Sequence, residues 1–203
     1  INDSFDVITC VTGQHREMLD QVLKIFKISP NIDLNLMKHK QDLFDLTSSL
    51  LLNMKQVLNT TQPELVLVHG DTTTALATAM ASFYCRIPVG HVEAGLRTND
   101  MNAPFPEEFN RQTISKIAKW HFAPTELSKS NLVNENVSRK AITVSGNTVI
   151  DALFWVLKQI ENDKSKLKKI TNLIDGILRF DWRNENYVLI TGHRRENFGD
   201  GFL

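Results

Sequence analysis

Only two cysteines, Cys10 and Cys85, occur in 203 residues. That excludes a disulfide framework and a cysteine-based zinc site, and both thiols read as small hydrophobes in apolar surroundings. No apolar run approaches the ~18 residues of a membrane span, and no signal peptide is visible, so no membrane partner is expected and a reducing cytoplasm is the default. Charge of one sign is also missing. Basic and acidic residues number 23 each, for a formal net charge of +0, so nothing asks for nucleic acid or an anionic surface as partner. Neither a P-loop nor a G-x-G-x-x-G is present, which leaves a dinucleotide cofactor without support. A starting methionine is absent too. The chain opens at Ile1-Asn2-Asp3 and ends at Gly201-Phe202-Leu203, where a new element should begin, so a fragment is expected.

What remains is ordinary globular composition, 42% hydrophobic and 23% charged, enough for a sizeable core. Phe5 to Val11 reads as a strand, and Met18, Leu19, Val22, Leu23 and Phe26 fall at helical spacing before "SPNIDLNL" breaks the pattern. Leu43, Leu46, Leu50, Met54 and Val57 stripe one face of a helix within 41–58. Then come a strand at Leu65–Val68, a helix from about Thr72 to Phe83, and a strand in "IPVGHVE". A loop with Pro104 and Pro106 leads to a helix from Glu107 to Ala118. "WHFAPT" and "KAITVSG" read as strands around the helix "ELSKSNLVNEN", and Asn147-Thr148 opens another helix. The charged run "IENDKSKLKKITN" reads as a solvated helix end or hinge, and "YVLITGHRREN" as the first strand of a second unit. Short apolar strands alternating with helices predict an α/β domain whose parallel sheet is covered on both faces.

In an open parallel sheet the ligand crevice lies beyond the carboxyl ends of the strands. Ionisable residues gather at the predicted ends: Gln14-His15-Arg16, His69-Gly70-Asp71, His91-Val92-Glu93 with Arg97, and His193-Arg194-Arg195. Asp71 is expected to cap the following helix, while Thr72 to Thr74 supply hydroxyls and N–H groups where helix-end charge favours a phosphate or carboxylate. His91-x-Glu93 follows His69-x-Asp71 by one βα unit, so two carboxylates should meet at adjacent strand ends. Glu107 and Glu108 open a helix, where acids are favoured in any case. Carboxylates sharing one crevice repel, so at least one should hold its proton unusually tightly and serve as a general acid. A rival reading makes His69, Asp71, His91 and Glu93 ligands of zinc or manganese. His121 reads as a core or strand-edge histidine, and His39 as a loop residue.

Taken in order, "GQHREMLDQVL", "LVHGDTTTALA", "IPVGHVEAGLRT", "PFPEEFNRQ", "GNTVIDAL" and "TGHRREN" resemble the non-hydrolysing UDP-N-acetylglucosamine 2-epimerases over nearly the whole chain. The resemblance implies a Rossmann-like parallel α/β sheet in a glycosyltransferase-B-like two-domain architecture, truncated here. It implies an N-terminal domain at 1–146 lacking its first strand, and a linker helix with the start of a second domain at 147–203. It also implies interconversion of UDP-GlcNAc and UDP-ManNAc for bacterial polysaccharides, by elimination and re-addition of UDP, without metal or other cofactor. The hydrolysing branch and a glycosyltransferase of similar architecture are the alternatives. By motif, Asp71, Glu93, Glu107 and His193 resemble catalytic residues. Thr72, Arg97, Arg111, Arg194 and Arg195 are candidates for substrate binding, and Gln14, His15 and Arg16 for activation by substrate. A homodimer is expected, with a UDP-sugar as the partner molecule.

Overall fold

The computed structural model describes residues 4–13, 16–36 and 41–190. Two compact units divide the chain, Ile1–Val156 and Leu157–Leu203. In the first unit β1 (Cys10–Val11) pairs in parallel with β2 (Ile32–Asp33), joined through α1 (Arg16–Phe26). After α2 (Leu43–Thr61) comes a four-stranded parallel sheet in the order β3 (Val66–His69), β4 (Val89–Val92), β5 (Trp120–Ala123), β6 (Ile142–Val144). Its crossovers are α3 (Thr73–Tyr84), α4 (Glu107–Ile117) and α5 (Glu126–Asn134). The helix α6 (Thr148–Glu161) runs across the boundary between the units.

The alanines of α3 explain the layering. Ala77 meets Leu46 and Leu50 of α2, and Ala81 meets Met54 and Leu58. Ala75, Leu76 and Ala79 face the other way, against Val68, Val89 and Ile114. Small side chains on both sides let α3 lie closely between a helix and the sheet, as its apolar sequence required. The interior helix is therefore a rigid support for whatever stands at its N-terminus.

Several expectations are corrected. Of the strand predicted from Phe5 to Val11, only Cys10 and Val11 pair; Phe5, Val7 and Ile8 are exposed. Cys10 and Cys85 are half-buried free thiols rather than fully enclosed ones. β2 arises in the segment read as a break. Covering of both faces holds at β4, whereas Leu65 and Leu67 beside it stay exposed. The charged run is more than a hinge. Asp163 accepts from Lys166 N and starts α7 (Lys164–Ile177), because a side-chain oxygen there satisfies a free helix N–H. Tyr187 to Ile190 form no strand and are exposed, a row of β-forming residues that finds no ladder partner among the described residues. In the second unit Asp175 takes both Arg183 nitrogens and the Trp182 indole N–H.

Candidate functional site

β3 leaves the sheet at His69 and turns at Gly70, whose φ of +70° suits glycine. Gly70 N–H continues the ladder to Val92 O, and Thr72 rather than Asp71 caps α3, its hydroxyl accepting from Ala75 N. This corrects the capping expectation. It also changes what Asp71 is for, because its carboxylate is not consumed by the helix. The Thr72 hydroxyl, by contrast, is committed to the cap.

Three carboxylates converge on this turn. Asp71 Oδ2 lies 3.4 Å from Arg111 Nε. Glu93 follows β4 in the left-handed region at φ +65°, unusual for a residue with a Cβ, and its Oε2 stands 3.8 Å from His69 Nε2. A Cβ built on Gly70 would lie 3.3 Å from that same oxygen, so Glu93 reaches back across the Gly70 turn. Glu107 opens α4, where its Oε2 is buried with no hydrogen-bond partner among the described residues. Burial raises the Asp71 pKa, and the charges of Glu107 and Glu93 add to the rise while Arg111 opposes it. Both remaining acids thus act electrostatically on Asp71, in the same direction as its burial.

Around this rim stands a buried frame. Glu108 is fully enclosed and accepts from Thr98 N, Asn99 N and Gln112 Nε2, with Arg111 Nε at 3.2 Å. Burial alone would raise its pKa, but these donors together hold it below the usual carboxylate range. Arg111 is buried between Asp71 and Glu108. His91 is fully buried and donates from Nε2 to Gly70 O at 2.8 Å; burial pushes its pKa down to about 4. Asn110 donates from Nδ2 to Asp71 O at 2.8 Å.

Not every predicted residue joins the rim. Arg97 spends its guanidinium on Glu135, Leu96 O and Ser115 Oγ, tying the loop after β4 to α4 and α5. With its side chain 1% exposed it has no face for a substrate, and the binding role expected for it is withdrawn. Arg16 pairs with Asp20 and Asp33 on the surface. Gln14, His15, His39, His193, Arg194 and Arg195 lie outside the described residues. The metal reading loses its geometry, since His91 turns inward to a main-chain oxygen; among the described residues no three His, Cys, Asp or Glu side chains group as a metal would need. His121 is a core histidine beside His91 in the β4–β5 register. Sequence reasoning missed Asn110 and Glu135, and it named Glu108 only as an acid opening a helix rather than as a buried acceptor. The one available signal was helical spacing in "PEEFNR", which sets Glu107 above Asn110 and Glu108 above Arg111. The rim itself is an open edge. A recess of about 530 Å³ lined by Phe83, Tyr84, Ile87, Pro88 and Lys119 lies at the opposite end of α3.

A Rossmann-like parallel α/β unit of this kind is one part of a glycosyltransferase-B-like architecture. The comparisons make the assignment narrower. A sequence model of the UDP-N-acetylglucosamine 2-epimerase family matches residues 1–202, and the chain belongs to that family. It is 53% identical to the UDP-N-acetylglucosamine 2-epimerase of Campylobacter jejuni over 96% of this chain and 50% of that protein. Against the enzyme of that name from Escherichia coli K12, identity is 52% over 98% of this chain and 52% of the relative. The crystal structure of the Neisseria meningitidis UDP-GlcNAc 2-epimerase bound to UDP-GlcNAc superposes with a TM-score of 0.88 at 46% identity, covering 98% of this chain and 53% of that one. The chain therefore spans about half the length of the relatives it matches.

Proposed function

We propose that the intact protein interconverts UDP-GlcNAc and UDP-ManNAc. The observation that carries this reading is the meeting of Asp71, Glu93 and Glu107 at one rim, with Glu107 Oε2 buried and without a hydrogen-bond partner among the described residues, and with burial raising the Asp71 pKa. The hydrogen on carbon 2 of the sugar is not acidic enough for direct inversion. Elimination avoids that difficulty. A carboxylate takes the carbon 2 proton, the bond from carbon 1 to the diphosphate oxygen breaks, and its electron pair leaves with UDP, giving 2-acetamidoglucal. A protonated carboxyl then delivers a proton to the opposite face of carbon 2 while UDP adds back at carbon 1. Carboxylates in unlike protonation states suit both halves of this sequence. The three form one coupled set, so protons belong to the cluster rather than to a single side chain.

Around the acids, Arg111 offsets their charge from within the protein. By motif, His193 is assigned a catalytic role and Arg194 and Arg195 balance the negative charge of the substrate, while Thr72 contributes the helix N-terminus of α3. Gln14, His15 and Arg16 are assigned to activation by substrate. The chemistry uses neither metal nor redox cofactor. A cytoplasmic homodimer acting in polysaccharide biosynthesis completes the reading. No helix among the described residues is long and apolar enough to cross a membrane. The test is incubation of the intact protein with UDP-GlcNAc in heavy water, followed by NMR. Deuterium at carbon 2 and a stable mixture of two UDP-sugars are expected. Complete conversion to free sugar and UDP would favour the hydrolysing branch, and unchanged carbon 2 hydrogen would overturn the reading.

A further inference from the structure

The Gly70–Asp71 turn is gripped at two consecutive carbonyls by buried side chains from two different elements. His91 of β4 donates to Gly70 O, and Asn110 of α4 donates to Asp71 O, each at 2.8 Å. A carbonyl only accepts, so the His91 ring proton sits on Nε2. Its Nδ1 is buried without a partner among the described residues. An orphaned ring nitrogen is a cost that an aliphatic side chain would avoid. The imidazole is therefore explained by what Nε2 does and not by general fit to the core.

The placement of the two grips carries the argument. His91 stands two residues before Glu93, and Asn110 stands one helical turn after Glu107. The element that delivers each of the other acids thus also holds the turn that carries Asp71. Sliding β4 or α4 against β3 would break a hydrogen bond as well as change a carboxylate spacing. Neither side chain is exposed, with His91 at 0% and Asn110 at 3%.

We infer that His91 and Asn110 are positioning residues that fix the mutual spacing of Asp71, Glu93 and Glu107 without touching the reacting sugar. The inference rests on the proposed elimination and refines which residues make it fast. A purely structural role would lower stability and leave the reaction's profile alone. A positioning role lowers kcat at nearly constant KM, since misplacement of an acid by about 1 Å can cost on the order of 100-fold.

Three variants of the intact protein test it. His91→Asn keeps an amide too short to reach Gly70 O, His91→Gln puts an amide nitrogen close to the place of Nε2, and Asn110→Ala removes the second grip. His91→Asn and Asn110→Ala should lose about 10- to 100-fold in kcat with KM for UDP-GlcNAc within about threefold, and His91→Gln should recover most of the loss. Titration of the Asp71 carboxyl by carbon-13 NMR gives a readout that needs no turnover. Its raised pKa should fall back toward the ordinary value in His91→Asn and Asn110→Ala and persist in His91→Gln. Folded variants that titrate Asp71 as the wild type does, or equal behaviour of the Gln and Asn substitutions, would overturn the inference. Should the wild type exchange no deuterium at carbon 2 while the titrations shift as expected, the assigned reaction fails and the positioning stands.

Discussion

Arg111 Nε lies 3.4 Å from Asp71 Oδ2, yet the Asp71 carboxyl holds its proton more tightly than an ordinary aspartate does. A guanidinium at that distance should have the opposite effect. Burial wins, with the Glu107 and Glu93 charges added to it, and Arg111 is already shared with Glu108 at 3.2 Å. The folded state therefore pays to ionise Asp71. An acid whose folded pKa is raised stabilises the fold at low pH and loses that contribution as pH climbs through the raised value. Asp71→Asn should accordingly be more stable than the wild type at pH 7, with the difference shrinking as pH falls. Thermal unfolding across pH checks this, and a less stable variant at pH 7 would refute it. Carbon 2 exchange should drop at least about 100-fold in the same variant.

His91 predicts the opposite limb. In the unfolded chain its imidazole protonates near 6.5, whereas burial, helped by the charges of His121, Arg97 and His69 and opposed by the hydrogen bond to Gly70 O, lowers the folded value to about 4. Stability should therefore decline as pH falls from 6.5 toward 4, by on the order of 3 kcal/mol from this group. His121, lowered by burial as well, acts in the same direction. Urea unfolding at intervals between pH 7 and pH 4 should show a shallower acid decline in His91→Gln than in the wild type.

Glu108 takes two main-chain N–H groups, the Gln112 amide and Arg111 while fully buried. Glu108→Ala leaves those donors without their acceptor, which should cost about 3–5 kcal/mol. Equilibrium unfolding measures the loss, and a change of less than about 1 kcal/mol would show that the clamp on Thr98 and Asn99 is dispensable.

Gly95 stands where no other residue fits. Its φ is +89°, and a Cβ there would come 2.2 Å from Ser128 O, a main-chain atom of α5. Gly95→Ala should lose about 3 kcal/mol through overpacking and left-handed strain together. Because the loop joins Glu93 to Arg97, activity should fall with stability; a Tm shift below about 2 °C would contradict the close approach.

The order of helices and parallel strands from Val66 to Val144 was legible because it rests on local periodicity and short-range turn chemistry. Leu43, Leu46, Leu50 and Met54 announce α2 wherever it packs. The apolar run before His69 announces a strand by the same logic, and acids placed after such strands follow from the geometry of any parallel sheet. The segment from Phe5 to Thr9 shows where this stops, since β propensity makes a strand only if another strand offers a ladder. Composition and spacing therefore determined the parallel α/β class and set Asp71 and Glu93 at adjacent strand ends, while Glu107 joined them only through the motif resemblance. Tertiary structure alone decided that Thr72 caps α3 in place of Asp71, that Arg97 belongs to Glu135, and that His91 and Asn110 hold the Asp71 turn. The cap is a local contest, won by Thr72 through Ala75 N, whereas the other outcomes depend on which atoms meet across 20 to 40 residues of chain. A hydrogen bond or an ion pair is won by distance and burial, and neither is a property of neighbouring letters.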